Sequence, residues 1–426
     1  MDTRRSKVMR AKYTAGLSCS VAGTAMGLLA LTNISMAAGD GHSGGVTTAV
    51  LLSLMALATA GFVPLVPMVC RRFGVRRSYV TSILVGAGIW AALAALVLAG
   101  STSFGVLCLF GALLGVVLSA ATVLKPLFAQ VFLGGALMSV SYARQSLISG
   151  VAWVAGALVG GLLIETVGLG WTLLLNAGLS LPLALVLGRT KLTDEPTIQQ
   201  RGQGGGHSTL SYLRANGGVR VAVLVAASTV VFIGPMTLMV VPLASAFRQS
   251  PVTGAGLLMA SMGLGRICTP TLVGRLDARL RSIDGAMIAD FAGGVILIVF
   301  AACSTFVSGG LELAVWCVIG ACFGAARFSA RAFTVGAAVD SAAQEHRIEA
   351  MSALVLVALL ATPAGLLLWG TLLDVSGPQV TLLVVGFGML LLTVALFDDV
   401  GVMGRDDVGG FGNAPPGVSA GRSSSW

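Results

Sequence analysis

Apolar runs of about twenty residues, separated by short polar or glycine-rich stretches, recur along the chain as far as residue 397. Twelve stand out, at residues 14–38, 46–70, 79–98, 102–124, 145–164, 170–187, 221–243, 253–272, 286–303, 311–336, 351–373 and 380–397. Each is long enough for a helix to cross hydrocarbon of about 30 Å. A helix also satisfies its backbone donors and acceptors within its own segment, as lipid demands. The pattern predicts an all-α membrane protein of twelve transmembrane helices.

Composition removes the soluble alternative. Of 426 residues, 56% are hydrophobic and 10% charged, against about 25% charged in soluble domains. The net charge of +9 raises the question of a nucleic-acid partner, and the placement of the basic residues answers it. They form short runs before the first span (Arg4, Arg5, Lys7, Arg10, Lys12), after the second (Arg71, Arg72, Arg76, Arg77), after the sixth (Arg189, Lys191, Arg201, Arg214) and after the eighth (Arg275, Arg279, Arg281), whereas the alternate connections hold little beyond Arg248. This alternation is membrane topology, not a phosphate-binding face. It puts both termini in the cytoplasm, with the chain in the cytoplasmic (inner) membrane. Arginine exceeds lysine and Gly, Ala and Val abound, which fits a GC-rich bacterial genome.

The opening Thr3-Arg4-Arg5-Ser6-Lys7 has the look of a twin-arginine leader, but the apolar run behind it exceeds a signal core of 7–15 residues, so a retained first helix is expected. The seven cysteines lie in or at the ends of apolar runs, no Cys-x-x-Cys occurs, and His42, His207 and His346 are far apart. No cofactor or metal ligand set is recognisable.

The two halves of the chain repeat one another. Gly111, Gly115, Gly156, Gly161, Glu165 and Gly168 match Gly320, Gly324, Gly365, Gly370, Asp374 and Gly377 at one ungapped offset of 209 (320 − 111, 374 − 165). Two pseudo-symmetric six-helix halves follow, at residues 1–188 and 219–397, joined by a cytoplasmic linker at 189–218 and followed by a disordered tail at 398–426. The linker's Gly202-Gln203-Gly204-Gly205-Gly206 lacks the Gly-Lys-Ser/Thr ending of a phosphate loop. Parallel six-helix repeats around a midplane cavity are the plan of an alternating-access transporter.

On these residues the chain resembles the major facilitator superfamily from Thr14 to Phe397. Gly156-Ala157-Leu158-Val159-Gly160-Gly161 is similar to the Gly-Pro-x-x-Gly-Gly element of its proton-coupled drug exporters, with Ala157 where the proline stands. Arg71-Arg72-Phe73-Gly74-Val75-Arg76-Arg77 is similar to the signature Asp-Arg-x-Gly-Arg-Arg, with Arg71 in place of the acid and Val75 in place of a base. In the family that acid is held to cap a neighbouring helix N-terminus and latch the cytoplasmic gate, for which arginine has the wrong sign. The loop after span 8, with Gly274 and Asp277, is the alternative latch. The resemblance implies export of a small amphipathic drug or secondary metabolite by proton antiport, with Arg72, Gly74, Arg76, Asp277 and the glycines Gly156, Gly160, Gly161, Gly365 and Gly370 serving gating and packing.

Charges at membrane depth are expensive and mark function. They are Lys125, Arg144, Arg266, Asp290, Arg327, Arg331 and Asp340. Arg327 and Arg331, four apart, share one helix face, fit to attract an anion or pair with a proton-carrying carboxylate, or to snorkel toward headgroups. Lys125 matches Thr334 by the same offset of 209 (334 − 125), one turn beyond Arg331. Asp290 and Asp340 are the carboxylates placed to relay a proton. Asn33, Ser35, Trp153 and Trp316 either line a cavity or pack helices. Gly41-His42-Ser43-Gly44 has the form of an intramembrane protease motif, but no later span carries a histidine base, so no enzyme is expected.

The sequence therefore reads as a monomeric secondary transporter in the lipid bilayer, carrying a small-molecule substrate with protons as coupling ion. The rival readings are a proton-linked importer of a small anionic solute and a non-transporting assembly or lipid-handling protein on the same scaffold.

Overall fold

A computed structural model describes residues 3–38, 44–133, 138–190, 217–233, 236, 240, 251–277, 280–306, 310–340, 342 and 347–407. These residues are helical almost throughout, as the apolar runs require. In order, the helices are α1 (Thr3–Ala37), α2 (Gly44–Phe62), α3 (Val66–Phe73), α4 (Val75–Leu98), α5 (Phe104–Leu133), α6 (Met138–Thr166), α7 (Leu169–Arg189), α8 (Gly217–Ile233), α9 (Pro251–Asp277), α10 (Ser282–Phe306), α11 (Gly310–Asp340) and α12 (Arg347–Asp407).

Ten helical segments among the described residues are long and apolar enough to cross a membrane, and Val219–Phe232 is a shorter apolar helix. Three places differ from the expected spans. The second run is one segment broken by a 3-10 turn at Val63–Leu65, where Pro64 and Pro67 stand at helix starts and remove amide donors. The eleventh and twelfth runs lie on one helix, α12, bent at Gly377, whose φ of 76 and ψ of 172 are open to glycine and precede Pro378. That helix continues to Asp407, past residue 398 where the tail was expected to begin. The rest of the tail, most of the 189–218 linker, and His42 with Ser43 lie outside the described residues.

Small residues set the helix packing, since burying one apolar surface against another gains little in lipid. A Cβ at Gly156 of α6 would overlap the Ala22 backbone of α1, and one at Gly365 of α12 would meet the Val231 backbone of α8 at 2.6–2.9 Å. The two pairs share the offset of 209 (365 − 156 and 231 − 22), so the sequence repeat is a repeat of packing. Across the halves, α6 lies against α9, where a Cβ on Gly256 would come within 2.7 Å of the Ala157 carbonyl and 3.5 Å of the Gly161 Cα. Its counterpart is α12 against α2, where a Cβ on Gly370 would meet Ala49 at 2.9 Å. The strip therefore divides: Gly156 and Gly160 face their own half, and Gly161 faces the other. Trp369 stands in the repeat position of Gly160 and is fully buried in a cluster with Met236 and Leu373.

Candidate functional site

Two cavities of about 260 Å³ each open among these helices. The first is bounded by α6, α8, α9, α11 and α12, and its polar lining is Tyr142, Thr229, Arg266, Arg327, Arg331 and Thr334. Among the described residues, no carboxylate lines it. The four-residue spacing of Arg327 and Arg331 brings both guanidinium groups to one side of α11, and α9 brings Arg266, which is 9% exposed.

Neighbouring aromatic groups hold these cations. The Arg331 Nε donates to the Tyr142 hydroxyl at 3.1 Å. The guanidinium of Arg266 lies 4.3 Å from the Phe328 ring centre and that of Arg327 lies 5.7 Å from it, as cation–π attraction favours. A contact of this kind places the cation near the ring without using up all of the guanidinium's five N–H donors. The Nε of Arg266 has no hydrogen-bond partner among the described residues. Lys125 of α5 does not line this cavity, although it is near enough to Arg266 for the two charges to interact. Desolvated charges of one sign demand a counter-charge, and the cavity is a place for an anion to supply it.

Asp290 of α10 is 2% exposed and adjoins this cavity through Thr229. The Thr229 Oγ1 lies 2.6 Å from Asp290 Oδ2 and 2.8 Å from the Val225 carbonyl oxygen. A hydroxyl has one hydrogen to donate, so both contacts are satisfied together when Asp290 carries a proton and donates it to Thr229. The other oxygen, Oδ1, has no partner among the described residues.

The second cavity lies among α1, α2, α5 and α12, lined by Leu28, Leu52, Met55, Leu118, Leu359 and Leu366 together with Ala56, Thr59, Thr122 and Thr362. All three threonine hydroxyls donate back along their own helices, to the carbonyls of Met55 at 2.8 Å, Leu118 at 2.8 Å and Ala358 at 2.9 Å. The chamber is thereby apolar in effect.

The remaining sequence candidates are elsewhere. Asn33 Nδ2 donates to the Leu29 carbonyl of its own helix at 2.8 Å, and Asn33 lines neither cavity. Trp316 packs edge-on against Phe300 at 4.7 Å. The side chains of Asp277 and Asp340 lie outside the described residues. In the loop after α3, Gly74 takes φ 85, Arg72 sits 5.6 Å over the Phe73 ring, and Arg76 donates through Nη1 to the Thr190 carbonyl at the C-terminus of α7. A cation suits a helix C-terminus, so the basic loop ties two helices of one half. The acid that caps a helix across the halves is Asp374, whose Oδ2 accepts the Val46 amide at 3.1 Å in the first turn of α2. Gly45 permits the approach, because a Cβ there would stand 2.6 Å from Asp374 Oδ1.

Three site residues carried no role at the level of sequence: Tyr142, Phe328 and Thr229. Tyr142 was excluded by placing the start of the fifth span at residue 145, whereas α6 begins at Met138. Arg266 stood among the intramembrane charges without a partner to give it meaning.

A sequence profile described as Major Facilitator Superfamily matches residues 14–338. Among curated protein sequences, none matches significantly. In solved structures the fold is similar to a mutant of the nucleoside transporter NupG (TM-score 0.67, 14% identity, 92% of this chain and 99% of that one). It is also similar to the human organic anion transporter MFSD10 (0.63, 16%, 93% and 100%) and to the E. coli fucose:proton symporter FucP (0.61, 12%, 91% and 98%). At these identities the likeness is one of fold.

Proposed function

Since the chain belongs to the Major Facilitator Superfamily and is a multi-pass membrane transporter, not an enzyme, we propose that its cargo is a small organic anion, moved with proton coupling. The observation that carries this reading is a cavity lined by Arg266, Arg327 and Arg331 and, among the described residues, by no carboxylate. Such a lining repels cationic drugs and leaves neutral ones without compensation for the buried charge. It therefore favours the anion alternative over drug export. MFSD10, the human protein of similar fold, is an organic anion transporter, which runs the same way.

Asp290 supports the coupling. Its contact with Thr229, itself part of the cavity wall, puts a proton carrier beside the anion, so that gain or loss of the proton alters the field the anion feels. The 1–188 and 219–397 halves, with the linker between them and both termini in the cytoplasm, complete the reading. Cysteines introduced as Gly204→Cys and Ser43→Cys should be labelled from opposite sides of the membrane.

Flux into proteoliposomes tests the function. Radiolabelled carboxylates, sulfonates and phosphate esters should include a transported compound, against neutral and cationic controls. Arg327→Ala should lower that flux at least tenfold, because a hydrogen bond to a charged group contributes about 1.5–3 kcal/mol, while membrane abundance stays normal. Flux confined to the cationic compounds, or a fully active Arg327→Ala, overturns the reading.

A further inference from the structure

The apolar chamber adjoins the cationic one. On α5, Leu118 and Thr122 line the apolar chamber, and Lys125 completes their i, i+4, i+7 series on one helix face while lying within electrostatic reach of Arg266 in the cationic chamber. On the far side, α12 contributes Leu354 to the cationic chamber and Leu359, Thr362 and Leu366 to the apolar one. α12 thus runs as a wall through both spaces, and Lys125 of α5 lies beyond the apolar lining on the side of Arg266.

The chambers differ in what they offer an occupant. One presents guanidinium N–H groups and the Tyr142 hydroxyl. The other presents leucine, methionine and threonine methyl groups, with its hydroxyl hydrogens already donated to Met55, Leu118 and Ala358. Water in such a space would find few partners, and an apolar group would fill it favourably.

We infer that the two chambers form one bipartite site for an amphipathic organic anion, with its acidic head among Arg266, Arg327 and Arg331 and a short apolar tail in the chamber bounded by Leu118, Thr122 and Thr362. The inference rests on the anion reading above and specifies the substrate class. The occupant is a soluble anion with a compact tail. A membrane lipid is the competing source of the same chemistry.

Binding of ethane-, butane- and hexanesulfonate to the purified full-length protein separates these cases. Sulfonates keep their charge at all working pH values, so the series varies the tail alone. Affinity should rise about fourfold for each methylene buried, the equivalent of about 0.8 kcal/mol. Thr122→Trp, or Thr362→Trp from the opposite wall should the first fail to fold, should flatten the series. Sulfonates that bind with a flat wild-type series, while Arg327→Ala still weakens them, overturn the bipartite site and leave the anion reading standing. Affinity that climbs undiminished to dodecanesulfonate overturns the compact tail in favour of a lipid. Failure of every sulfonate to bind removes both readings.

Discussion

The same four positions of the repeat carry opposite chemistry in the two halves. Leu118, Thr122 and Lys125 of α5 correspond to Arg327, Arg331 and Thr334 of α11 at the offset of 209 (327 − 118). Thr59 corresponds to Arg266 at an offset of 207 (266 − 59), the register in which Gly115 packs on the Met55 backbone and Gly324 on that of Met262. All of these but Lys125 line a chamber, the first group in the apolar one and the second in the cationic one. The repeat places two cavities at corresponding positions, and a few residue differences give one of them its charge. The backbone packing that shapes the cavity is therefore separable from the side chains that decide what enters it.

The largest effect should come from erasing the difference. Arg266→Thr, Arg327→Leu and Arg331→Thr together give the second half the residues that the first half already tolerates. Anion flux in proteoliposomes should fall more than a hundredfold, the scale of losing several hydrogen bonds to charge, with normal membrane insertion. Retained flux would show that the charge asymmetry is not what selects the cargo.

Asp290 sharpens the same comparison, because the first six spans hold no comparable buried acid. Asp290→Asn keeps the shape and removes the titrating proton. Flux should persist at a reduced level while its dependence on pH disappears across pH 5–8. A pH profile that follows the wild type would transfer the coupling to another group.

The smallest effects should come from what the halves share. Gly156→Leu and Gly365→Leu drive side chains into the Ala22 and Val231 backbones, and overpacking of this kind costs about 1–3 kcal/mol. Thermal unfolding of each purified variant should show losses of similar size. A loss confined to Gly156→Leu would break the equivalence of the two packing sites.

Sequence alone carried the all-helical membrane architecture and the repeated glycine packing, because a twenty-residue apolar run and a glycine at a backbone crossing are local requirements written at fixed positions. It carried the cations of α11 and Lys125 for the same reason: a charge in an apolar run is visible without a fold. What it lacked was direction. Gly156, Gly160 and Gly161 read as one strip, yet a helix turns about 100° per residue, and that rotation sends Gly161 to α9 and the other two to α1. Of the three glycines expected to serve gating and packing, Gly161 faces the other half, while Gly156 and Gly160 pack within their own. The apolar chamber was likewise hidden, since no spacing rule says that Leu28, Met55, Leu118 and Leu359 from four helices enclose one space. The gate acid was sought in the loop at Arg71, and the fold supplies a cross-half cap through Asp374, near the other end of the bundle.

That single cap has a thermodynamic reach beyond its size. In a protein that interconverts between two conformers, a contact made in one and lost in the other multiplies their ratio by its Boltzmann factor. At about 1.5–3 kcal/mol for a hydrogen bond to a carboxylate, the bond from the Val46 amide to Asp374 weights the population holding it by roughly ten- to a hundredfold. Where that bond is made in only one conformer, the resting occupancy of that conformer would be set in part by one oxygen atom far from the arginines of the cationic chamber.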